Sequence, residues 1–347
     1  MGNHSLNERL TQYIANVILL FCGLALYCNN KYYTALLNPN ALLILKLYVV
    51  GYCFIGCFFY IFILKRLNHE TKGYLCLRAI EKLIRKFISY LKDFPNNLNI
   101  NKHQIDFEEK NALLFLLVKL FFLPLMVSFC LNNFTSFWEI LRQVKALPIL
   151  HIFEISTFNT FIYPLLFNLF ILADVIIFSF GYMFEANFLN NRIRSVEPTA
   201  FGWMVALLCY PPFNGLVGSY VNWYASDYPS TNNAPFTFIL RLTVLALFGI
   251  YLWASFALGT KASNLTNRGI ISKGPYAFVR HPAYISKNLA WWVSMIPVIS
   301  FTAILSMSVW TFIYFLRAIT EERHLIKDPD YQEYCAKVHY RFIPYVW

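Results

Sequence analysis

An all-α, polytopic membrane helical bundle is the fold class this sequence predicts, on three observations. Of its 347 residues, 58% are hydrophobic and only 14% charged, whereas a soluble globule carries about a quarter charged residues. Roughly eight apolar runs approach the ~20 residues that a helix needs to cross the hydrocarbon core. The basic residues also sort to one side of those runs. With the N-terminus on the cytoplasmic side, 23 of the 29 Lys and Arg fall in inner segments, as the positive-inside bias requires. Three, Lys31, Arg142 and Lys145, fall outside, and Lys46, Lys119 and Arg241 lie within runs. Length alone suggests one to three domains. The composition argues against a water-soluble enzyme and against disorder. In so apolar a chain, the net charge of +11 points to an anionic membrane surface rather than to nucleic acid.

The runs, in order, are 12–28, 41–64, 112–132, 159–185, 200–221, 236–259, 286–302 and 303–318. The first begins after a polar N-terminus carrying Glu8 and is expected to stay as a signal anchor rather than be cleaved. The fifth is broken by Pro211-Pro212, which kinks a helix or opens a lateral portal. The last two meet around 296–302 as a tight hairpin. Eight crossings keep both termini cytoplasmic, and six plus re-entrant pieces preserve the same parity.

Organisation follows: an N-terminal transmembrane hairpin over 1–64, a basic cytoplasmic segment over 65–111, further membrane helices over 112–259, and a closing module over 260–347. Within the second segment, Leu77, Ile80, Leu83, Ile84, Phe87, Ile88 and Leu91 recur at helical spacing, with Arg78, Lys82, Arg85, Lys86 and Lys92 between them. That pattern is an amphipathic helix, suited to lie on an anionic leaflet or to pack on the rest of the protein. Asn96–Gln104 is Asn-rich and reads as a loop.

Several chemistries lack machinery. The seven histidines (His4, His69, His103, His151, His281, His324 and His339) form no iron-ligating box. The eight cysteines contain no CxxC pair, and most sit in apolar runs as small hydrophobes. No metal site is expected. No Walker loop, GxSxG elbow or strand-borne GxGxxG occurs, so a nucleotide-like cofactor would have to sit between helices.

Polar chemistry collects near the C-terminus. Gly274-Pro275 makes a turn, and Pro282 holds His281 extended just before a helix starts. Arg280 and His281 thus stand at a helix mouth, flanked by Tyr276 and Tyr284. Alone, this reads as a basic membrane anchor with aromatic belt residues. A second cluster ends the final run: Arg317 and Glu321 lie one turn apart on one helix face, and Glu322 adjoins. A hairpin brings the start of one run and the end of the next to the same surface, so Arg280, His281, Glu321 and Glu322 can converge. They would there form either ion pairs closing the hairpin or a polar pocket. Asp174, within the fourth run, is costly unless it faces the bundle interior.

The ordered set Gly274-x-Tyr276-x-x-x-Arg280-His281-Pro282-x-Tyr284, then Arg317, Glu321-Glu322, Asp328 to Val338 and Arg341 to Pro344, resembles the isoprenylcysteine carboxyl methyltransferase family and its bacterial and archaeal membrane relatives. The resemblance covers about the last 90 residues. It implies an integral-membrane methyltransferase using S-adenosyl-L-methionine on a lipophilic acceptor that enters from the lipid, a prenylcysteine-type carboxylate or a lipid. Residue by residue, it implies a cofactor pocket of Gly274, Pro275, Tyr276, His281, Pro282, Tyr284 and Arg317. Arg280, Glu321 and Glu322 are the implied catalytic residues: Arg280 orients the acceptor or the cofactor carboxylate, and a glutamate serves the cofactor or acts beside the acceptor. Ser286 stands where the family often has Gly, and Lys287 adds a charge where relatives are often apolar. The chemistry suits these residue types: in-line displacement at a sulfonium needs positioning and field, guanidinium clamps carboxylate, and tyrosine faces stabilise a cation. A carboxylate acceptor needs no base, whereas an amine or phenol would need one, with Glu322 or His281 as candidates. The stretch Tyr334 to Pro344 also resembles the membrane sterol reductases, which use a nicotinamide cofactor. A non-enzymatic transporter or scaffold is the remaining alternative.

Overall fold

The computed structural model describes residues 5–63, 70–92, 104–148, 151 and 153–346. Of the Asn-rich stretch read as a loop, only Gln104 lies within them; His4, His69 and His103 lie outside. The described residues are mostly helical, with one two-stranded pairing, and the chain divides into two compact units, 1–128 and 129–347.

In the first unit, α1 (Leu6–Asn29) opens with a capping box, in which Ser5 and Glu8 exchange side-chain-to-backbone hydrogen bonds. It is followed by α2 (Lys31–Leu36) and α3 (Pro39–Gly51), whose helix runs on through π-helical turns. The predicted amphipathic helix is α4 (Lys72–Lys92). Its first half buries Leu75, Cys76 and Ala79. A Cβ on Gly73 would sit 2.3 Å from the Asn16 side chain, so the backbone of α4 closes directly on α1. The second half leaves Leu83, Ile84, Phe87, Ile88 and Leu91 exposed. Helix α5 (Phe107–Lys145) carries the fully buried Glu109, whose carboxylate takes Arg78 Nε and Lys82 Nζ, each at 2.7 Å. This helix outruns the predicted 112–132, because nothing after Pro124 breaks it before Lys145.

The second unit continues with a short turn α6 (Ile155–Thr157), then α7 (Tyr163–Met183), strand β1 (Ser195–Val196), α8 (Ala200–Leu207), α9 (Phe213–Gly218) and α10 (Ala234–Leu258). Strand β2 (Thr266–Asn267), α11 (Pro282–Ser294), α12 (Phe301–Leu325) and α13 (Pro329–Lys337) follow. Helices α7 and α10 run in the same direction, with Phe167 meeting Phe248 and Asp174 meeting Ser255, and pack through Tyr163, Phe167, Val244, Leu245 and Phe248. α11 and α12 form the expected hairpin, Trp291 and Met295 against Met307 and Trp310. Two residues from each strand pair antiparallel, Ser195 with Asn267 and Val196 with Thr266, tying the connection after α7 to the one after α10.

Among the described residues, six helices are long and apolar enough to cross a membrane: Leu6–Asn29, Pro39–Phe62, Phe107–Lys145, Ile155–Met183, Ala234–Lys261 and Phe301–Leu325. Two of the eight predicted runs are not continuous long helices. Run 200–221 splits into α8 and α9 around Pro211-Pro212, where a missing N–H and ring clashes end the ladder. Run 286–302 covers the later part of the 13-residue α11, a 3₁₀ turn at Ile296–Val298 and the first residues of α12.

Below the helix ends, Arg194 binds Asp328 at 2.9 Å and Asp330 at 2.5 Å, and Asn267 donates to Asp328 at 2.7 Å. Burial disfavours the Asp328 charge, but Arg194 and Asn267 outweigh it and hold its carboxyl below the ordinary value of 3.8. A depressed carboxyl contributes stability above its unfolded pKa and loses it as pH falls through the folded one. Thermal stability in detergent is therefore expected to fall as pH drops below about 5, where a salt-bridged Asp begins to titrate, and Asp328→Asn to flatten that slope.

Candidate active site

Two chain segments meet to build the site. Gly274 adopts φ +64° to begin a 3₁₀ turn, Gly274–Ala277, packed against Trp253 and Ala257 of α10. The extended residues that follow pair with the chain's end: Arg280 N–H donates to Tyr340 O and His281 N–H to Arg341 O, both at 2.9 Å. Pro282 then starts α11, as its fixed φ and missing N–H allow. The His281 ring lies between Tyr284 and Phe342, with centroids 5.5 and 5.4 Å away.

The adjacent glutamates of α12 separate. Glu322 is buried behind the site wall and holds three basic side chains: Arg280 at 3.2 Å, His281 Nε2 at 3.1 Å and Arg341 Nε at 2.9 Å. Arg280 also donates to His339 O at 2.9 Å. Glu321 faces the other way and takes the Tyr284 hydroxyl at 2.6 Å.

Between α10, α11, α12 and the loops after α7 and α10 lies a cavity of about 170 Å³. A single water needs only ~10–15 Å³ on the same scale, so the space suits an organic molecule. Of the residues nominated from sequence, Tyr276, Arg280, His281, Tyr284, Arg317 and Glu321 line it. Gly274, Pro275, Pro282 and Glu322 do not line it; they shape or brace its wall.

Sequence reasoning missed most of the lining residues, among them Glu197, Tyr210, Tyr251, Asn264, Tyr314 and His324. The Arg317 guanidinium stands 5.6 Å from the Tyr210 ring and 5.3 Å from that of Tyr284, and it donates to Asn264 Oδ1. Asn264 is fixed in turn by Tyr182, whose hydroxyl takes its N–H at 2.7 Å and its side-chain amide at 2.8 Å. Asp174 is buried, as its cost required, and accepts from Tyr251 at 2.7 Å and Ser255 at 2.5 Å. The Lys287 ammonium lies 4.9 Å from the Tyr251 ring centre. Five tyrosines thus surround a space edged by both signs of charge. Among the described residues, no three His, Cys, Asp or Glu side chains converge as a metal ion would need.

The family model described as phospholipid methyltransferase matches residues 236–328. The match spans α10 to the start of the closing segment and contains most of the cavity wall. It bears out the resemblance read from Gly274 to Tyr284 and from Arg317 to Glu322, and supports a membrane methyltransferase. No curated protein and no solved structure matches the chain.

Proposed function

We propose that this chain is an integral-membrane, S-adenosyl-L-methionine-dependent methyltransferase acting on a lipophilic acceptor, a prenylcysteine-type carboxylate or another lipid. The observation that carries the reading is the common cavity: Arg280, His281, Tyr284, Arg317 and Glu321, from segments some 40 positions apart, share one wall. The matched family's description names phospholipid as the substrate of its members, which favours a lipid acceptor. S-adenosylmethionine fits the residues present, since tyrosine faces and a carboxylate suit a sulfonium, and Arg317 suits a carboxylate. When bound, the cofactor would supply an activated methyl group on a good leaving group.

The chain's own part is positioning and field. Tyr276, Tyr284 and Arg317 would hold the cofactor, with Gly274, Pro275 and Pro282 setting the backbone that carries them. Arg280 and His281 are steadied by Glu322 rather than free to swing. Glu321, hydrogen-bonded by Tyr284, is placed to take a proton where the acceptor is an amine; a carboxylate acceptor would need none. The 23-to-3 charge asymmetry supports cytoplasmic termini, which would put the cavity at the inner leaflet.

Calorimetry on the detergent-purified full chain tests the cofactor. S-adenosylhomocysteine is expected to bind, and to lose at least about tenfold in affinity on Arg317→Ala, as removal of a hydrogen bond to a charged group implies. Binding of NADPH alone would contradict the reading.

A further inference from the structure

Glu197 carries an unused bond. It follows β1 and precedes α8, lies outside the stretch matched by the family model, and lines the cavity while being only 2% exposed. Its backbone is fixed on both sides, since Glu197 N–H donates to Leu265 O and Trp203 Nε1 donates to Glu197 O, each at 2.8 Å. All the side-chain hydrogen bonds converge on one oxygen: Oε1 takes Thr199 N–H at 3.0 Å, the Thr199 hydroxyl, and Arg323 Nη2 at 3.0 Å. Oε2 is buried and has no hydrogen-bond partner. The carboxylate cannot retreat, because a Cβ on Gly202 would already lie 2.6 Å from its Cγ. Buried polar atoms are nearly always satisfied, and a carboxylate oxygen can only accept. A carboxylate that lines the cavity, is locked in place and keeps one oxygen unfilled by its own chain is suited to accept from a ligand's donor.

We infer that Glu197 Oε2 accepts a hydrogen bond from an O–H or N–H donor of the bound methyl donor, its ribose hydroxyls or its α-ammonium group. The inference rests on the S-adenosylmethionine reading above and adds a binding residue to it. Arg317 and Glu197 then offer opposite charges to a zwitterionic ligand.

The test is calorimetry on the full chain in detergent, with S-adenosylhomocysteine and with 5′-methylthioadenosine, which keeps the ribose and lacks the amino-acid part. Glu197→Gln preserves shape and is expected to weaken S-adenosylhomocysteine at least about tenfold, the effect of losing a hydrogen bond to a charged group. If the ribose is the donor, both ligands weaken; if the ammonium is, only the first does. Thr199→Ala removes hydrogen bonds to Glu197 Oε1, Arg323 and the start of α8 without touching Oε2, and is expected to weaken binding clearly less than Glu197→Gln does. On the unsubstituted protein, either the 2′,3′-dideoxy or the N-acetyl form of S-adenosylhomocysteine should show the same loss. Unchanged binding by Glu197→Gln, an equal loss in Thr199→Ala, or parent-like binding of both analogues would overturn the inference while leaving the cofactor reading intact. Failure of the unsubstituted protein to bind S-adenosylhomocysteine would overturn both.

Discussion

Glu322→Ala is expected to destabilise the second unit by about 3–5 kcal/mol, the range for removing one side of a buried ion pair. One carboxylate here serves Arg280, His281 and Arg341, so its loss leaves several donors facing each other without their acceptor. The damage would extend beyond the pair, because Arg341 and Tyr340 hold the backbone of His281 and Arg280; losing the Arg341 clamp loosens the entry to α11. Thermal unfolding in detergent should show a midpoint lowered by about 6–20 °C, at about 2–4 °C per kcal/mol for a unit of this size. Glu322→Gln keeps an acceptor in place and should lose less. A midpoint within a degree of the unsubstituted protein would show that the hub is not structural.

Glu321→Gln is expected to do the reverse. Its carboxylate lies on the cavity wall and takes one hydroxyl, from Tyr284, which an amide oxygen can also accept. The unfolding midpoint should therefore barely move. Turnover on an amine-bearing lipid should fall at least about 100-fold, the lower end of what a positioned general base contributes. The pair of measurements assigns the two neighbours by effect: Glu322 by stability, Glu321 by rate. Equal rates for Glu321→Gln and the unsubstituted protein would remove Glu321 from the chemistry.

What could be read from sequence, and what could not, follows from how each residue reaches the site. The box around Arg280-His281-Pro282 and the doublet Glu321-Glu322 are local signals, since proline restricts its neighbour and helical spacing fixes a face. Their convergence followed from a hairpin visible in the apolar pattern. The different duties of Glu321 and Glu322 were not legible, because successive helix positions point about 100° apart and only packing shows which one meets Arg280. Glu197, Tyr210 and Asn264 come from connections whose approach depends on the β1–β2 pairing, two residues on each strand, too short to leave a periodic trace. In α4, the spacing gave the helix, while the burial of its first half and the exposure of its second depend on Asn16 and Gly73 meeting. The 200–221 run showed its break in Pro211-Pro212, and the shortness of α11 was masked by apolar residues continuing past Ser294.

Photo-crosslinking of S-adenosylmethionine labelled in its methyl group to the full chain, followed by peptide mapping, tests the account most directly. Label should fall on peptides containing Tyr276 to Tyr284 or Tyr314 to Glu321, and excess S-adenosylhomocysteine should abolish it. Competable label confined to residues 1–128 would place the methyl donor elsewhere and contradict the site.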